Sequence, residues 1–504
     1  MPPLLTPSSP IRASARRFAL SVAEMQDWLA SLPLHNAPEA ARCITEQVAA
    51  LNRSRTALRE RLVLTALLRD CTEQLLPELD SLVAGVQVPL QARPRAVARL
   101  IDELLREFAC AYKLALSELP ERWFNFGLAR RLHLPLTRAL QMLARRMVLA
   151  HRIYAPPPPA VWLEMHELFS MARHHRIEKL SLSGANDSPL AVYREALALS
   201  FASPPKLMQG ELDLILDFLA LNGDLAVFID TVPQDPVDGL FVVQQGRDAP
   251  GVPWGKRAAR SEGTALGPDE LVLNTSRLAD RAMQLAELAP AAPEQFNSRP
   301  PSPELLRRLV RHWTACASRQ YSRLRRHARV DLCVGLHGVW RFLRQSDDGA
   351  NVQTSEWMVK NESPGGFALM HVSGPIESVK VGEVLGLRSR DSDRVHICVV
   401  RWVLSDSPEH VELGLEELSP NAKPVSIARL ATSGGIASSI EPGLLLPEIP
   451  ALNRAATILT MPGRLDSSIE FHLGEPAQRV RTTQLVEQTH SLELFHFSPV
   501  NPVN

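Results

Sequence analysis

Arg325-Arg326-His327-Ala328-Arg329-Val330-Asp331-Leu332-Cys333-Val334-Gly335-Leu336 marks the point where this chain changes its period. Upstream, apolar residues recur three and four positions apart, as on one face of a helix. Downstream they come in short runs bounded by Gly, Asp and Ser, as in strands. A cluster of guanidinium groups stands at the junction. Arg suits an anion because its planar fork donates two parallel hydrogen bonds, to a phosphate or to O6 and N7 of guanine, and because it stacks on flat rings. Further on, Asn361-Glu362-Ser363-Pro364-Gly365-Gly366 separates two apolar runs. This turn offers an amide, a hydroxyl and backbone N–H groups that its glycines leave accessible. The Arg cluster 325–329 and the turn 361–366 are therefore a candidate anion site, and a nucleotide is the expected ligand.

Working outward, the runs 330–342, 355–359, 367–372, 381–387, 396–403 and 410–415 predict the strands of a small barrel or sandwich. Pro424 opens a second series, 444–447, 456–460, 469–473, 479–485 and 492–497, which predicts another small β domain. Toward the N-terminus, residues 1–20 read as a flexible Pro/Ser-rich arm. Ser21 with Glu24 has the form of a capping box, and Asn36 with Pro38 opens a second helix. Val97, Leu100, Ile101, Leu104, Leu105 and Phe108 form one helical face. Further helices are expected from Pro135 to 153 and at 161–173, 189–201, 209–221 and 275–288, with a short strand at 240–243. The four prolines 156–159 cannot lie in a helix and read as a stiff connection. The fold class is thus multidomain α+β: an all-α region of helical hairpins or a bundle, tetratricopeptide-like in its element lengths though without a readable repeat, then a small β-barrel and a second small β-rich domain. The expected divisions are 1–20, 21–230, 231–320 (mixed connection and helices), 321–425 and 426–504.

Composition limits the function classes. At 504 residues, roughly three units of ~150 residues are expected. Lys+Arg and Asp+Glu both total 55, so the whole molecule has no field that would favour nucleic acid or a membrane surface. Locally the balance differs: residues 299–344 hold eleven Arg, no Lys, and only Glu304 and Asp331 as acids. The six Cys stand singly with no CxxC spacing, which argues against zinc or a disulfide framework and for a reducing cytoplasm. No run reaches the ~18 apolar residues of a membrane span. His174 and His175 are adjacent and project in different directions from a helix, which fits an exposed basic patch better than a metal site. His166-Glu167 lacks the second His of HExxH, and no Walker A, GxSxG or Rossmann pattern occurs. No catalysis, metal or cofactor is expected.

The order and spacing of the two polar motifs carry a resemblance. RxxxR, realised as Arg325 and Arg329, followed by [D/N]xSxxG, realised as Asn361, Ser363 and Gly366, resembles the paired signature of PilZ domains, receptors for cyclic di-GMP. Val399-Val400-Arg401-Trp402-Val403 and Glu412-Leu413-Gly414-Leu415 are similar to the closing strands of that barrel, and the resemblance covers residues 321–425. It implies that Arg325 and Arg329 hold phosphates and guanine edges from a flexible linker, with Arg326 assisting. It implies also that Asn361 and Ser363 bond a guanine from the barrel surface while Gly366 keeps the turn open. Neither motif is broken. The implied protein is a cytoplasmic cyclic di-GMP effector, not an enzyme. It would couple ligand binding to rearrangement of a helical protein-interaction region with an unidentified partner, regulating motility, pili, biofilm or exopolysaccharide. The residues leave one other reading open: a helical scaffold with a structural barrel that binds a motility or secretion component without ligand control.

Overall fold

The computed structural model describes the chain except for residues 1–20, 86, 120–127, 183–186, 232–237, 259–265, 289–299, 315–323, 326, 345–351, 377–378, 391, 393, 408, 430–439, 451–453, 464, 466–469, 475–477 and 501–504. The expected arm 1–20 and the candidate Arg326 lie outside the described residues. The chain divides into two compact units: 1–86 with 91–204 and 210–318, and 87–90 with 205–209 and 319–504.

The first unit begins with helices α1 (Val22–Ala30), α2 (Ala37–Arg53), α3 (Leu58–Val83), α4 (Ala92–Ser117), α5 (Leu128–Arg152), α6 (Val161–His174), α7 (Pro189–Phe201) and α8 (Glu211–Asn222). The capping box forms as read: the Ser21 N–H donates to Glu24 Oε2 at 2.7 Å, and the Glu24 N–H to Ser21 Oγ at 3.4 Å. Asn36 Oδ1 accepts the Glu39 N–H in the same way at the start of α2. On α4, Val97, Ile101, Leu104, Leu105 and Phe108 are buried, and the helix packs against α2, α3 and α5. The fully buried Arg61 satisfies carbonyls that the end of α2 leaves open. It donates to Leu51 O at 2.9 Å and Ser54 O at 3.2 Å, and Glu118 balances its charge at 3.2 Å.

Two prolines depart from expectation. Helix α5 begins at Leu128 and runs through Pro135, and α3 runs through Pro77. A proline costs a helix interior ~3 kcal/mol. Burial of Leu136, Ala139, Leu140, Leu143 and Met147 along one face of α5 offsets it. The unit also contains a small antiparallel sheet, of which the sequence showed only the buried run at 240–243. Strands β1 (Val227–Ile229), β2 (Leu240–Gln244), β3 (Val252–Pro253) and β4 (Glu270–Asn274) lie in the order β1-β4-β2-β3. Helices α9 (Trp254–Ala258), α10 (Ser276–Leu288) and α11 (Pro303–Trp313) complete it. Trp313 at the end of α11 is fully buried, donating to Ala198 O at 2.9 Å and stacking on Phe218.

The second unit contains two barrels. The first is built from β5 (Leu324–Arg325), β6 (Arg329–Val334), β7 (Ser355–Ser363), β8 (Gly366–Ser373), β9 (Val384–Ser389), β10 (Val395–Ser405) and β11 (Val411–Ser419), with α12 (Leu336–Leu343) between β6 and β7. The strand order is β5-β7-β6-β9-β10-β11-β8, and β7 also pairs with β8. Strands β6 to β11 therefore close on themselves while β5 lies beside the start of the cycle. The run 330–342, expected as one strand, is half helix. Gly335 takes φ +79° and ends β6, and Leu336, Val339 and Phe342, spaced by three, are buried on one side of α12. Within the cycle, the Trp402 ring lies against Gly414 on β11, so close that a Cβ there would fall 1.7 Å from Nε1.

The second barrel is β12 (Lys423–Arg429), β13 (Glu441–Leu446), β14 (Thr457–Thr460), β15 (Glu470–Leu473), β16 (Gln478–Gln488) and β17 (Glu493–Pro499), closed in the order β12-β13-β14-β17-β16-β15. Strand β12 contains Pro424, which the sequence reading took as a boundary. Pro424 pairs only toward β13, and β15 joins β12 only from Ile427 onward, so the missing N–H removes no ladder bond. Leu336, Val339 and Phe342 share one core with Val384, Ile397 and Val399 of the first barrel and with Leu444, Leu446, Leu459, Leu492 and Leu494 of the second. Trp340 Nε1 donates to Val425 O at 3.0 Å.

Arg401 on β10 adds a polar link between the barrels. It bonds Glu487 at 2.5 and 2.9 Å and Glu416 at 2.7 Å. Burial works against its charge, but the two carboxylates outweigh that and raise its pKa. Arg401→Ala and Glu487→Ala are each expected to lower Tm. Both groups are partly exposed, so a double-mutant cycle should return a coupling of about 1 kcal/mol. Strict additivity would show that the pair does not hold the barrels together.

Candidate functional site

Arg325 and Arg329 are exposed on the first barrel, Asn361 and Ser363 are half-buried and Gly366 is buried; strand pairing decides which of them meet. Along β7, Ser355, Trp357 and Val359 are buried, while Glu356, Met358 and Lys360 are only partly so. The pleat therefore turns the second set outward. Strand β5 pairs with β7 so that Arg325 stands opposite Asn361. Strand β6 pairs with the same β7 so that Arg329 stands opposite Met358. The two signature arginines thus lie along the same edge of one strand. Arg325 is exposed, and among the described residues neither it nor the Asn361 side chain has an ion-pair or hydrogen-bond partner. Where a flexible linker was expected, Arg325 belongs to a two-residue strand.

Ser363 and Gly366 face each other across the two-residue turn Pro364-Gly365, and Ser363 Oγ lies 3.4 Å from Gly366 O. Gly366 has a packing reason as well as a turn reason. At φ +146° its backbone comes so near β11 that an added Cβ would fall 1.9 Å from Leu415 O. Asn361 is joined across the ladder to Ala368 of β8, which puts both polar positions of the second motif on the closing hairpin.

Two further residues belong to this surface. Glu356 Oε1 accepts from Arg329 Nη1 at 2.8 Å and forms an ion pair with Arg390 Nη2 at 2.9 Å, while Ser373 Oγ donates to Glu356 Oε2 at 2.7 Å. The Ser373 hydroxyl above all holds the Glu356 carboxyl below its ordinary value of 4.5; burial opposes it, and Arg329 and Arg390 add to the lowering. Arg390 follows β9, and β9 lies beside β6 with Ser389 opposite Val330. Only that pairing brings Arg390 to Arg329. The one signal available earlier was Glu356 itself, a carboxylate at an outward position between two buried residues.

The histidines set aside in the sequence behave as structural groups. His166 bonds the Tyr193 hydroxyl at 2.6 Å and Ala249 O at 3.0 Å, and burial lowers its pKa. His174 and His175 line a cleft of about 390 Å³ beside it, but among the described residues no cluster of His, Cys, Asp and Glu could hold a metal. Among the described residues, too, no helix is long and apolar enough to cross a membrane.

Comparison with known proteins places the domains in a family context. Three family models match in chain order: the N-terminal domain of the cyclic-di-GMP receptor FimW at 23–233, its middle PilZ domain at 340–424 and its C-terminal β-barrel domain at 426–500. The middle of the chain is a PilZ domain. The cyclic-di-GMP receptor FimW of Pseudomonas aeruginosa is 23% identical over 565 aligned positions, covering 95% of this chain and 91% of that one. Asn361, Ser363 and Gly366 fall inside the PilZ match, which starts within α12, whereas Arg325 and Arg329 precede it.

Gly366→Ala in the PilZ barrel tests whether the hairpin depends on the close approach to β11. A loss of about 2–3 kcal/mol is expected from the clash and the positive φ. Faster hydrogen exchange at the Glu417 amide, which donates to Gly365 O at 3.1 Å, should accompany it. Wild-type stability would mean that β8 can shift away at little cost.

Proposed function

We propose that this chain is a cytoplasmic cyclic di-GMP receptor whose ligand binds on the outer face of the PilZ barrel, at Arg325, Arg329, Asn361, Ser363 and Gly366. The observation that carries the reading is the placement of Arg325 opposite Asn361, with Arg329 on the other partner of the same strand. The ligand has two phosphodiesters and two guanines. Guanidinium forks answer both, bonding phosphate oxygens or the O6 and N7 edge of guanine. The Asn361 amide and Ser363 hydroxyl answer the directional donors and acceptors of the base, and the relative's own description as a cyclic-di-GMP receptor supports the assignment. Calorimetric titration with cyclic di-GMP is expected to show binding by the wild type. Each charge-assisted contact contributes about 1.5–3 kcal/mol, so Arg325→Ala and Arg329→Ala should each weaken affinity by at least about tenfold, with a smaller loss for Ser363→Ala. Unchanged affinity in all three would remove the site from this face.

The receptor reading extends to coupling. The last of the crossings from the first unit to the second comes after residue 318, shortly before Arg325. Ligand contacts at Arg325 and Arg329 would therefore constrain the segment that joins the helical region to the barrel. A ligand shifts such an equilibrium only by its differential affinity for the two states, and contacts that these arginines make to it in one state alone would supply that difference. The helical region is then the surface that meets a protein partner, through which motility, pili, biofilm or exopolysaccharide would be regulated. Hydrogen exchange across α1–α8 with and without cyclic di-GMP should change in at least one helix. Changes confined to the barrel would leave a receptor without this output.

A further inference from the structure

We propose that Glu356 is a built-in counter-ion that occupies the phosphate position of the site, and that Arg390 is a third guanidinium of that site, released together with Arg329 when ligand phosphate replaces the carboxylate. The inference rests on the receptor reading above and adds two residues to it. Its basis is one shared oxygen: Glu356 Oε1 lies 2.8 Å from Arg329 Nη1 and 2.9 Å from Arg390 Nη2.

Two guanidiniums drawn to one oxygen repel each other, and an anion between them offsets that repulsion. Here the anion is a single carboxylate. The Ser373 hydroxyl fixes its orientation by bonding the other oxygen at 2.7 Å. The two Arg side chains remain half exposed, at 51% and 55%, while that of Glu356 is 18% exposed. The donors thus face solvent, and the acceptor lies beneath them. A phosphodiester carries the same single negative charge on two equivalent oxygens and accepts the same fork. Bound there, it would satisfy both guanidiniums from the solvent side. The carboxylate would then be both redundant and repulsive to it.

Glu356 therefore weakens binding while offsetting the repulsion between Arg329 and Arg390. Its removal by a neutral isostere should have the opposite sign from removal of any arginine. Arg390 comes from β9, a strand in neither motif, so its contribution distinguishes this site from one made only by Arg325 and Arg329.

The test is calorimetric titration of the full chain with cyclic di-GMP, using Glu356→Gln, Arg390→Ala, Arg390→Lys and the pair Glu356→Gln/Arg390→Ala, with Arg329→Ala as reference. Glu356→Gln is expected to bind about threefold or more tighter and Arg390→Ala about fivefold or more weaker. Arg390→Lys should fall between Arg390→Ala and wild type. In the pair, the gain from Gln should shrink, because one of the two arginines it frees is gone. A purely structural role for Glu356 would not produce tighter binding or that coupling. Circular dichroism and melting of each variant show that it is folded, and Arg390→Lys serves if Arg390→Ala is not. If Arg329→Ala weakens binding but Glu356→Gln and both Arg390 variants bind as the wild type does, this inference fails and the receptor reading stands. Glu356→Gln binding more weakly also overturns it. A wild type that ignores cyclic di-GMP, or an Arg329→Ala protein that binds normally, overturns both.

Discussion

Strand β7 hydrogen-bonds along both of its sides, and the PilZ barrel exists because it does. On one side it meets β6 and the short β5; past the Pro364-Gly365 turn it meets β8 on the other. Without the second pairing the strands would form an open sheet with two unpaired edges, which proteins must cover or blunt. Closure also fixes what faces outward, since a shift of one residue in register would send Trp357 to solvent and Glu356 into the core. The ladder that makes the barrel thus also sets the guanidinium, amide and hydroxyl groups side by side. Gly366 is where the two demands meet. Its lack of a side chain lets β8 approach β11, and the same residue ends the motif that carries Asn361 and Ser363.

The second barrel is bound into the same physical unit by α12. This helix buries Leu336, Val339 and Phe342 against apolar residues of both barrels, so neither has a wholly separate core. Hydrophobic contact of this kind has no directional preference and could tolerate sliding. The polar contacts at its rim are directional. Thr489 and Ser491 both donate to Gly382 O, at 2.7 and 2.8 Å, and Arg401 bridges to Glu487. Together they define one arrangement of the two barrels rather than a range of them.

Much of this was legible in the sequence, and the limits of legibility are themselves physical. Alternation and Gly-bounded runs announced the barrels because a strand half buried must repeat every two residues. Ser21 with Glu24 announced a helix start because orphan N–H groups need acceptors within one turn. The signature residues were readable because each motif is local. What escaped depended on contacts far along the chain. Leu336–Phe342 read as strand because a short apolar run has no decisive period until its partner, here the second barrel, is known. Pro135 read as a helix start because its cost to a helix interior is local, whereas the burial that offsets it is tertiary. Arg390 could not be read at all: nothing ties it to Arg329 except the pairing of β6 with β9. The small sheet of β1–β4 was only hinted at, since its strands are separated by long connections.

The charges at the PilZ face divide affinity from selectivity. Arg329 already has an anion, so any ligand phosphate there gains only the difference between two ion pairs. Arg325 has no counter-ion among the described residues, and a phosphate or guanine edge reaching it replaces water alone. Exposed ion pairs are weak because water competes for both partners, so on the proposed reading Arg325 contributes more binding free energy than Arg329. Neither arginine discriminates strongly among phosphates, which are much alike in charge and shape. Discrimination requires groups whose loss of a partner is costly, and buried or half-buried donors and acceptors meet that condition. Asn361 and Ser363 are the partly buried polar groups of the motif. A base that presents the wrong edge would leave them unsatisfied while the arginines remained content. On the proposed reading, selectivity for guanine rests on the hairpin that closes the barrel, and strength of binding on the strand laid beside it.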